Sequence, residues 1–526
     1  MYRTLLGRGW LALLVVFVAA TAAFGWFLPR TGVDASTSML LDEKDPDLAY
    51  YNSSRRLWAS DDEFAIVCCR RADWFTPESI AVLKAIETDL AAVPHCAKVQ
   101  SLFSVPLLRN RPSPLPVPTN LDAKNVDLGR ARDELLSHTL AKGVFVSADG
   151  RDSVLLAYLD GIPELTQLER ERDDAAARGD SVRVAELDAR HEPLRAQLRE
   201  RRRVFVDEVR KVAAKWSPQL DEPVALSGIP IINVNLIEHV THDLDVFGIV
   251  SFALFTAAFA VIYRKVRWTL LPILTCLLPV VLVLGGMASQ GLRLTIITAN
   301  LPLLIFVIML PYTVYLVERY RERRARAPSE PHLDATAGSA RDVWLPCLYS
   351  CTTTMAGFAS LLTSGVKPVW WFGLMMTIGL AAGLACAFLF FPAASVPLGA
   401  ADDPRAKAES EPHGAVRWME RVVLRSPGLV TACAAVLLGL SAWGVTRLSV
   451  ENKFVDYFWP GSEVHRGLTR IDERMGGTTP LDVVLTSKEP GFFRTDRGLE
   501  AIRSAARFFE TCPEAGHVSS VATLVD

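Results

Sequence analysis

The sequence predicts an α-helical transmembrane bundle bearing an α+β extramembrane domain of split βαβ type, with that arrangement starting again near the C-terminus. Three observations carry the prediction. Seven uncharged apolar runs, residues 11–28, 246–263, 268–292, 294–317, 343–366, 368–394 and 429–445, are each long enough to cross a hydrocarbon core of about 30 Å as a helix of about 20 residues. The long polar stretch after the first run alternates short β-type segments with helical ones. The residues after the seventh run repeat the apolar positions that follow the first.

Half of the 526 residues are apolar and 22% are charged, and the two kinds are segregated, as a chain part membrane and part aqueous requires. A formal net charge of -2 leaves no basic excess for a nucleic-acid backbone.

Residues 1–29 form the first span. Its apolar run exceeds the ~7–15 residues of a signal-peptide core and no clear small-x-small cleavage site precedes the folded region, so it is a retained helix. Residues 30–245 form an external domain, with β-type runs at 64–69, 98–105, 144–147 and 154–159 and helices at 77–93 and 128–140. Such a unit buries one sheet face under two helices. Within it, residues 163–216 read as a charged helical hairpin with a sparse seam of Leu165, Leu168, Leu187, Leu194 and Leu198 and a turn at Gly179. Its Arg-rich stretch 199–203 is a solvated face or a contact for anionic head groups or a partner protein. Spans two to six occupy 246–398, a cytoplasmic linker 399–428, the seventh span 429–446, and a second external domain starts at 447–526. Pro272, Pro279, Pro302 and Pro311 interrupt spans three and four, as hinges or as static kinks.

Short-loop charges set the orientation. Arg3, Arg8, Arg264, Lys265, Arg267, Arg319, Arg321, Arg323, Arg324, Arg326, Arg405, Lys407, Arg417, Arg421 and Arg425 fall on one side, which is therefore cytoplasmic; the other short loops carry Arg293 and Lys367. Of nine cysteines, Cys276, Cys347, Cys351, Cys386 and Cys433 sit inside spans as packing residues. Cys96 in the external domain is free or bridged to Cys68 or Cys69.

The repeat pairs Val33, Phe64, Ile66 and Val67 with Val450, Leu481, Val483 and Val484 at an offset of 417. It then pairs Leu83, Leu90, Pro94, Val99 and Ser101 with Ile502, Phe509, Pro513, Val518 and Ser520 at 419. Repeats of this kind place a working site between the halves.

Residues 351–394, CTTTMAGFASLLTSGVKPVWWFGLMMTIGLAAGLACAFLFFPAA, hold a Thr run, Gly357-Phe358, Ser360-Leu361-Leu362, Phe372-Gly373, Gly379 and Pro392-Ala393. This resembles the paired-helix signature of the resistance-nodulation-division (RND) superfamily, in its MMPL or hydrophobe/amphiphile-exporter branch. The resemblance implies a multi-pass permease of a bacterial inner (cytoplasmic) membrane whose external domain is porter-like and periplasmic or extracellular. It would export or extract hydrophobic or amphiphilic, lipid-like molecules entering from the outer leaflet or periplasm. The second copy stops at Asp526, opposite about Leu107 of the first, so the family pattern leads one to expect a truncated fragment or a partner chain, or oligomer, supplying the second half.

Proton-driven relatives carry acids midway along the fourth span, where this chain has Pro311 and Tyr312. With no carboxylate in the seven runs, the usual relay is missing. The polar groups left are Asn300, Tyr312 and Tyr315 on the fourth span and Thr352, Thr353 and Thr354 on the fifth, read as interhelical hydrogen-bonding groups with a coupling role as the alternative. Gly357 and Gly379 are expected to let helices approach closely.

No cofactor, metal or catalytic site is expected. His239 and His242 share a helix face but lack further ligands at fixed spacing, and neither a Walker-type phosphate loop nor a G-x-S-x-G motif occurs. The expectation is a transporter rather than an enzyme. The alternative is a nontransporting membrane module, either a sterol-sensing-like lipid sensor or a SecD/SecF-like secretion or assembly accessory.

Overall fold

A computed structural model describes residues 2–34, 50, 63–107, 120–123, 126–138, 141–399, 414–448, 454–477, 481–512 and 515–522. The chain divides into two compact units, Met1–Ser54 with Leu236–Glu451, and Arg55–Asn235 with Asn452–Asp526. Val450 and Pro513 of the expected repeat, and Arg405 and Lys407 of the expected linker, lie outside the described residues.

In chain order, α1 (Tyr2–Gly25) and the two-residue β1 (Val33–Asp34) belong to the first unit. The second unit follows with β2 (Phe64–Arg70), α2 (Pro77–Ala91), β3 (Cys96–Gln100), α3 (Leu128–Ser137), β4 (Asp152–Leu159), α4 (Pro163–Ala177), α5 (Ser181–Trp216) and β5 (Glu222–Ser227). Helix α6 (Ile229–Tyr263) belongs to the second unit up to Asn235 and to the first from Leu236. The first unit resumes with α7 (Val266–Ser289), β6 (Leu294–Thr295), α8 (Leu301–Arg326), α9 (His332–Ala359), α10 (Lys367–Ala385), α11 (Phe391–Ser395), α12 (Gly414–Arg425) and α13 (Pro427–Val445). Helices α14 (Glu463–Arg474) and α15 (Asp496–Glu510) return to the second.

In the second unit β2, β3, β4 and β5 form one antiparallel sheet in the order β3-β4-β2-β5. The connections make this a split βαβ arrangement, but its second crossover runs from β4 through α4 and α5 to β5 and not, as the sequence pattern suggested, through residues 128–140 to a strand at 144–147. Strand β2 reads FAIVCCR, nearly all apolar, because both of its faces are covered. Helix α14 lies on the face carrying Cys68, Val154 and Ala225 and contributes Ile471 to that cluster. Gly228, at φ +104°, turns the chain from β5 into α6, and a Cβ there would sit 3.2 Å from the Ala65 Cα. Residues 144–147 form isolated bridges only, whereas β5 went unread in the sequence because a Glu-Pro start shortens its apolar run.

The repeat is visible as a helix. Both ends of α15 are displaced by 419 positions from those of α2. The caps match as well, since Thr76 accepts from the Ser79 N–H at 3.2 Å and Thr495 from the Gly498 N–H at 3.2 Å. Residues 481–487, the counterpart of β2, form no strand. The strands that flank β2 in the first copy have no counterpart among the described residues, so this backbone lacks a ladder.

Cys68 and Cys69 are buried on β2 while Cys96 begins β3, and β4 lies between the two strands. Two strand spacings of about 4.8 Å exceed disulfide reach, and all three thiols are free. Burial pushes the Cys68 thiol up to about 12.

Among the described residues six helices are long and apolar enough to cross a membrane: Leu6–Arg30, Ile229–Tyr263, Val266–Ser289, Thr298–Arg326, Lys367–Leu398 and Pro427–Val445. The expected fifth span, on α9, is not among them, because Pro346, Ser350 and the Thr352-Thr353-Thr354 run dilute its apolar character. It still packs in the bundle, where Cys347 and Cys351 are fully buried beside α8 and α10. Helices α1, α7, α8, α9 and α10 share one core, and a π-helical turn, Cys386–Phe390, joins α10 to α11. At one end of the bundle lie the paired Arg3 and Asp334 (3.0 Å), Arg319 and Asp342 (2.9 Å), and Arg323 and Glu330 (2.8 Å). This is the basic end. Val33 pairs with Leu294 at the opposite one.

Candidate functional site

At the end of the bundle away from the arginines, α6, α7 and the start of α8 enclose a cleft of about 170 Å³. Helix α6 supplies Asp243, Leu244, Phe247, Gly248 and Phe252, which recur at three- and four-residue steps and so share a face. Helix α7 supplies Leu277 and Val280, and the entry to α8 supplies Asn300, Pro302, Leu303 and Phe306. From Asp243 to Phe252 the lining runs about 14 Å at 1.5 Å per residue. Phe255 meets Phe306 edge-on, with ring centroids 6.1 Å apart.

The loop that presents Asn300 is fixed by its own threonines. The Thr295 N–H donates to Thr298 Oγ1 at 2.6 Å and the Thr298 N–H to Thr295 Oγ1 at 3.2 Å, after which Pro302 opens α8 with φ already helical. The walls are therefore hydrocarbon, while the polar groups, Asp243 and Asn300, cluster where α6 and α8 meet the bundle end.

The other residues singled out in the sequence are dispersed. Tyr312 is buried, and its hydroxyl lies 3.4 Å from Ser350 Oγ on α9, a partner the sequence did not indicate. Tyr315, one turn further along α8, is exposed. Thr353 and Thr354 donate to carbonyls of their own helix, Thr353 to Tyr349 O at 3.0 Å and Thr354 to Ser350 O at 2.9 Å, and Thr352 is exposed. Gly379 is a close approach, since a Cβ there would lie 3.0 Å from Ile305 Cγ1 and 3.4 Å from Val283 Cγ2. Gly357 faces open space, with nothing within 4 Å of such a Cβ.

The basic end holds a cluster that sequence reasoning missed, because its members come from four separated segments. The His332 Nε2–H donates to the Ser395 carbonyl at 2.8 Å, which leaves Nδ1 to accept from the Tyr320 hydroxyl at 2.7 Å. Arg267 donates to the Gly399 and Ser395 carbonyls. Burial holds His332 below the ordinary histidine pKa, with Arg267 and Arg324 adding to the effect against the Ser395 carbonyl.

In the second unit α14 is pinned to the first-copy sheet. Arg474 meets Glu222 at 3.2 Å and Asp152 at 3.5 Å, and Arg470 donates to the Pro223 carbonyl at 2.6 Å. Glu463, in the first turn of α14, accepts from Arg210 at 3.0 Å and from the Asn235 amide at 3.3 Å. A Cβ on Gly467 would lie 2.8 Å from the Leu226 carbonyl carbon, so only glycine allows the helix this close. Burial raises the pKa of Asp152, a carboxylate 1% exposed, against the pull of Arg70 and Arg474.

Among the described residues no group of three or more His, Cys, Asp or Glu side chains is placed to hold a metal. A model of the MMPL family matches residues 195–430, a segment that contains the cleft and the basic-end cluster. No curated protein matches the chain.

Proposed function

Because the chain is a member of the MMPL family over residues 195–430, and so a membrane permease of the RND/MMPL type, we propose that it moves hydrophobic or amphiphilic, lipid-like molecules. The cleft between α6, α7 and α8 is the observation that carries this reading. Its hydrocarbon walls suit an acyl or alkyl chain and its polar mouth a head group. With the arginine-rich end cytoplasmic by the loop-charge rule, the cleft opens toward the outer leaflet of a bacterial inner membrane. The split βαβ unit then serves as a periplasmic, porter-like domain.

Movement in this scheme uses alternation between packed states rather than chemistry at a reactive group, and the protein is a transporter rather than an enzyme. Helices approach closely at Gly379 and Gly285. The Glu463 contacts tie α14, α5 and the first turns of α6 together within the second unit. Tyr312 and Tyr315 are not joined by hydrogen bonds.

The test uses Gly248, which lines the cleft and has open space around its Cβ position. Gly248→Leu should fill the cleft without disturbing the fold. A strain lacking the gene should accumulate an amphiphile or lipid on the donor side of the inner membrane. The parent gene should restore the profile and Gly248→Leu should not. Full restoration by Gly248→Leu, at parental protein level, would remove the cleft from the mechanism. An unaltered lipid profile in the deletion strain would favour the nontransporting module.

A further inference from the structure

We propose that the cleft selects a net-cationic, single-chain amphiphile, with its tail between α6, α7 and α8 and its positive head group held at the mouth by Asp243. The inference rests on the cleft being the binding site of the permease. Its own basis is charge.

Asp243 is the one ionisable side chain among the cleft-lining residues, and it is exposed at the open end. The other polar lining group, Asn300, is neutral and exposed beside it. Along α6 the flanking charges are also acidic, Glu238 and Asp245, and no Lys or Arg occurs between Leu236 and Tyr263. The histidines on that stretch, His239 and His242, are exposed and outside the lining. Along α6 an incoming anionic head group would therefore meet like charge and a cationic one opposite charge, while the cations of the short loops at this end, Arg293 and Lys367, lie outside the lining. The contact lies where the head-group layer borders hydrocarbon, so the effective dielectric is below that of bulk water and the discrimination exceeds that of a fully solvated pair.

The geometry also favours one chain over two. A lining about 14 Å long around a cleft of only about 170 Å³ has room for one extended tail. Gly248 opens the middle of that path, because any larger side chain would project into it.

The experiment uses the full 526-residue chain in nanodiscs of neutral lipid. A dansyl-labelled alkyl maltoside serves as neutral reporter, displaced by dodecyltrimethylammonium, dodecyl sulfate, dodecyl maltoside or lysophosphatidylethanolamine. Dodecyltrimethylammonium should displace it at roughly tenfold lower concentration than dodecyl sulfate in 0.1 M salt, with dodecyl maltoside between them. Asp243→Asn should reduce the ratio to near one and Asp243→Lys should invert it. Asp243 is exposed, so these variants should fold, and an unchanged elution profile and thermal unfolding midpoint verify that they do. Equal potency of the ammonium and sulfate competitors on the parent protein would overturn the charge assignment and leave the cleft intact. Lysophosphatidylethanolamine matching the ammonium competitor would overturn the requirement for net positive charge. Reporter binding that is absent, or unchanged in Gly248→Leu, would overturn the cleft itself and this proposal with it.

Discussion

Gly285→Ala is the sharpest test of how the bundle holds together. A Cβ on Gly285 would lie 2.6 Å from the Phe24 carbonyl carbon and 2.7 Å from the Phe24 Cβ, where ordinary contact starts at 3.4 Å. What it meets is mostly backbone of α1, which has no rotamer to escape into. Helices α1 and α7 must then separate by something close to 1 Å, which opens their whole interface. Overpacking of this kind costs about 1–3 kcal/mol, or roughly fivefold to a hundredfold in the folding equilibrium. In a bilayer no water-driven term compensates, since helix association there rests on packing and hydrogen bonds. Gly383→Ala should cost less, because the atoms it meets belong to Met309, a flexible side chain. Gly357→Ala should be neutral or mildly stabilising, as its Cβ would meet nothing within 4 Å. Chemical or thermal unfolding of the purified chain in detergent ranks the three. Equal unfolding of Gly285→Ala and Gly357→Ala would refute the close approach of α1 and α7 at Gly285.

Three further outcomes are expected. Thr76→Ala and Thr495→Ala should each weaken a helix start by about 1 kcal/mol, read as faster amide exchange at the first turns of α2 and α15 respectively, and equal effects would support the repeat as a structural one. His191 is 1% exposed with both ring nitrogens unpartnered, and burial, then Arg195, holds its pKa below the ordinary 6.5 against Glu169 and Asp188. The unfolded hairpin therefore binds more protons than the folded one, so its stability is full above pH 6.5 and falls as the pH drops below that; amide exchange in α4 and α5 should rise on acidification, and His191→Leu should flatten the response. Tyr312→Phe and Tyr315→Phe should leave proton uptake by liposomes containing this chain unchanged; substrate-dependent uptake abolished by either would place a relay on α8.

The helices of the bundle were legible because an uncharged run of sufficient length has few other fates. α6 shows the limit of that reading. Its apolar run begins at Val246, yet the helix begins at Ile229, because polar residues outside hydrocarbon are equally compatible with helix. The split βαβ sheet was legible through its 2-residue and 3.6-residue periods, apart from β5, whose EPVALS carries too little alternation. Helix α14 was not foreseen, although Val464, Leu468 and Ile471 mark an apolar face, since the sheet face it covers lies more than 200 residues away in the chain. Of the candidate site, Asn300 was found as a polar residue in an apolar run. The cleft around it was not, because its walls come from three segments and carry no spacing rule. Ser350 as the neighbour of Tyr312, and Ser395 and Gly399 carbonyls as acceptors for His332 and Arg267, are likewise pairings that only the fold creates.

Photo-crosslinking inside living cells tests the proposed role of the cleft most directly. Benzoylphenylalanine placed at Phe252, in the cleft lining, is compared with the same group at Leu437, an exposed position on α13 outside the cleft. Both sites face hydrocarbon, so bulk membrane lipid labels both. The account predicts that position 252 captures, in addition, one amphiphile enriched well beyond its share of the membrane, and that Gly248→Leu abolishes that adduct while leaving the Leu437 pattern unchanged. Identical adducts at the two positions, insensitive to Gly248→Leu, would contradict it.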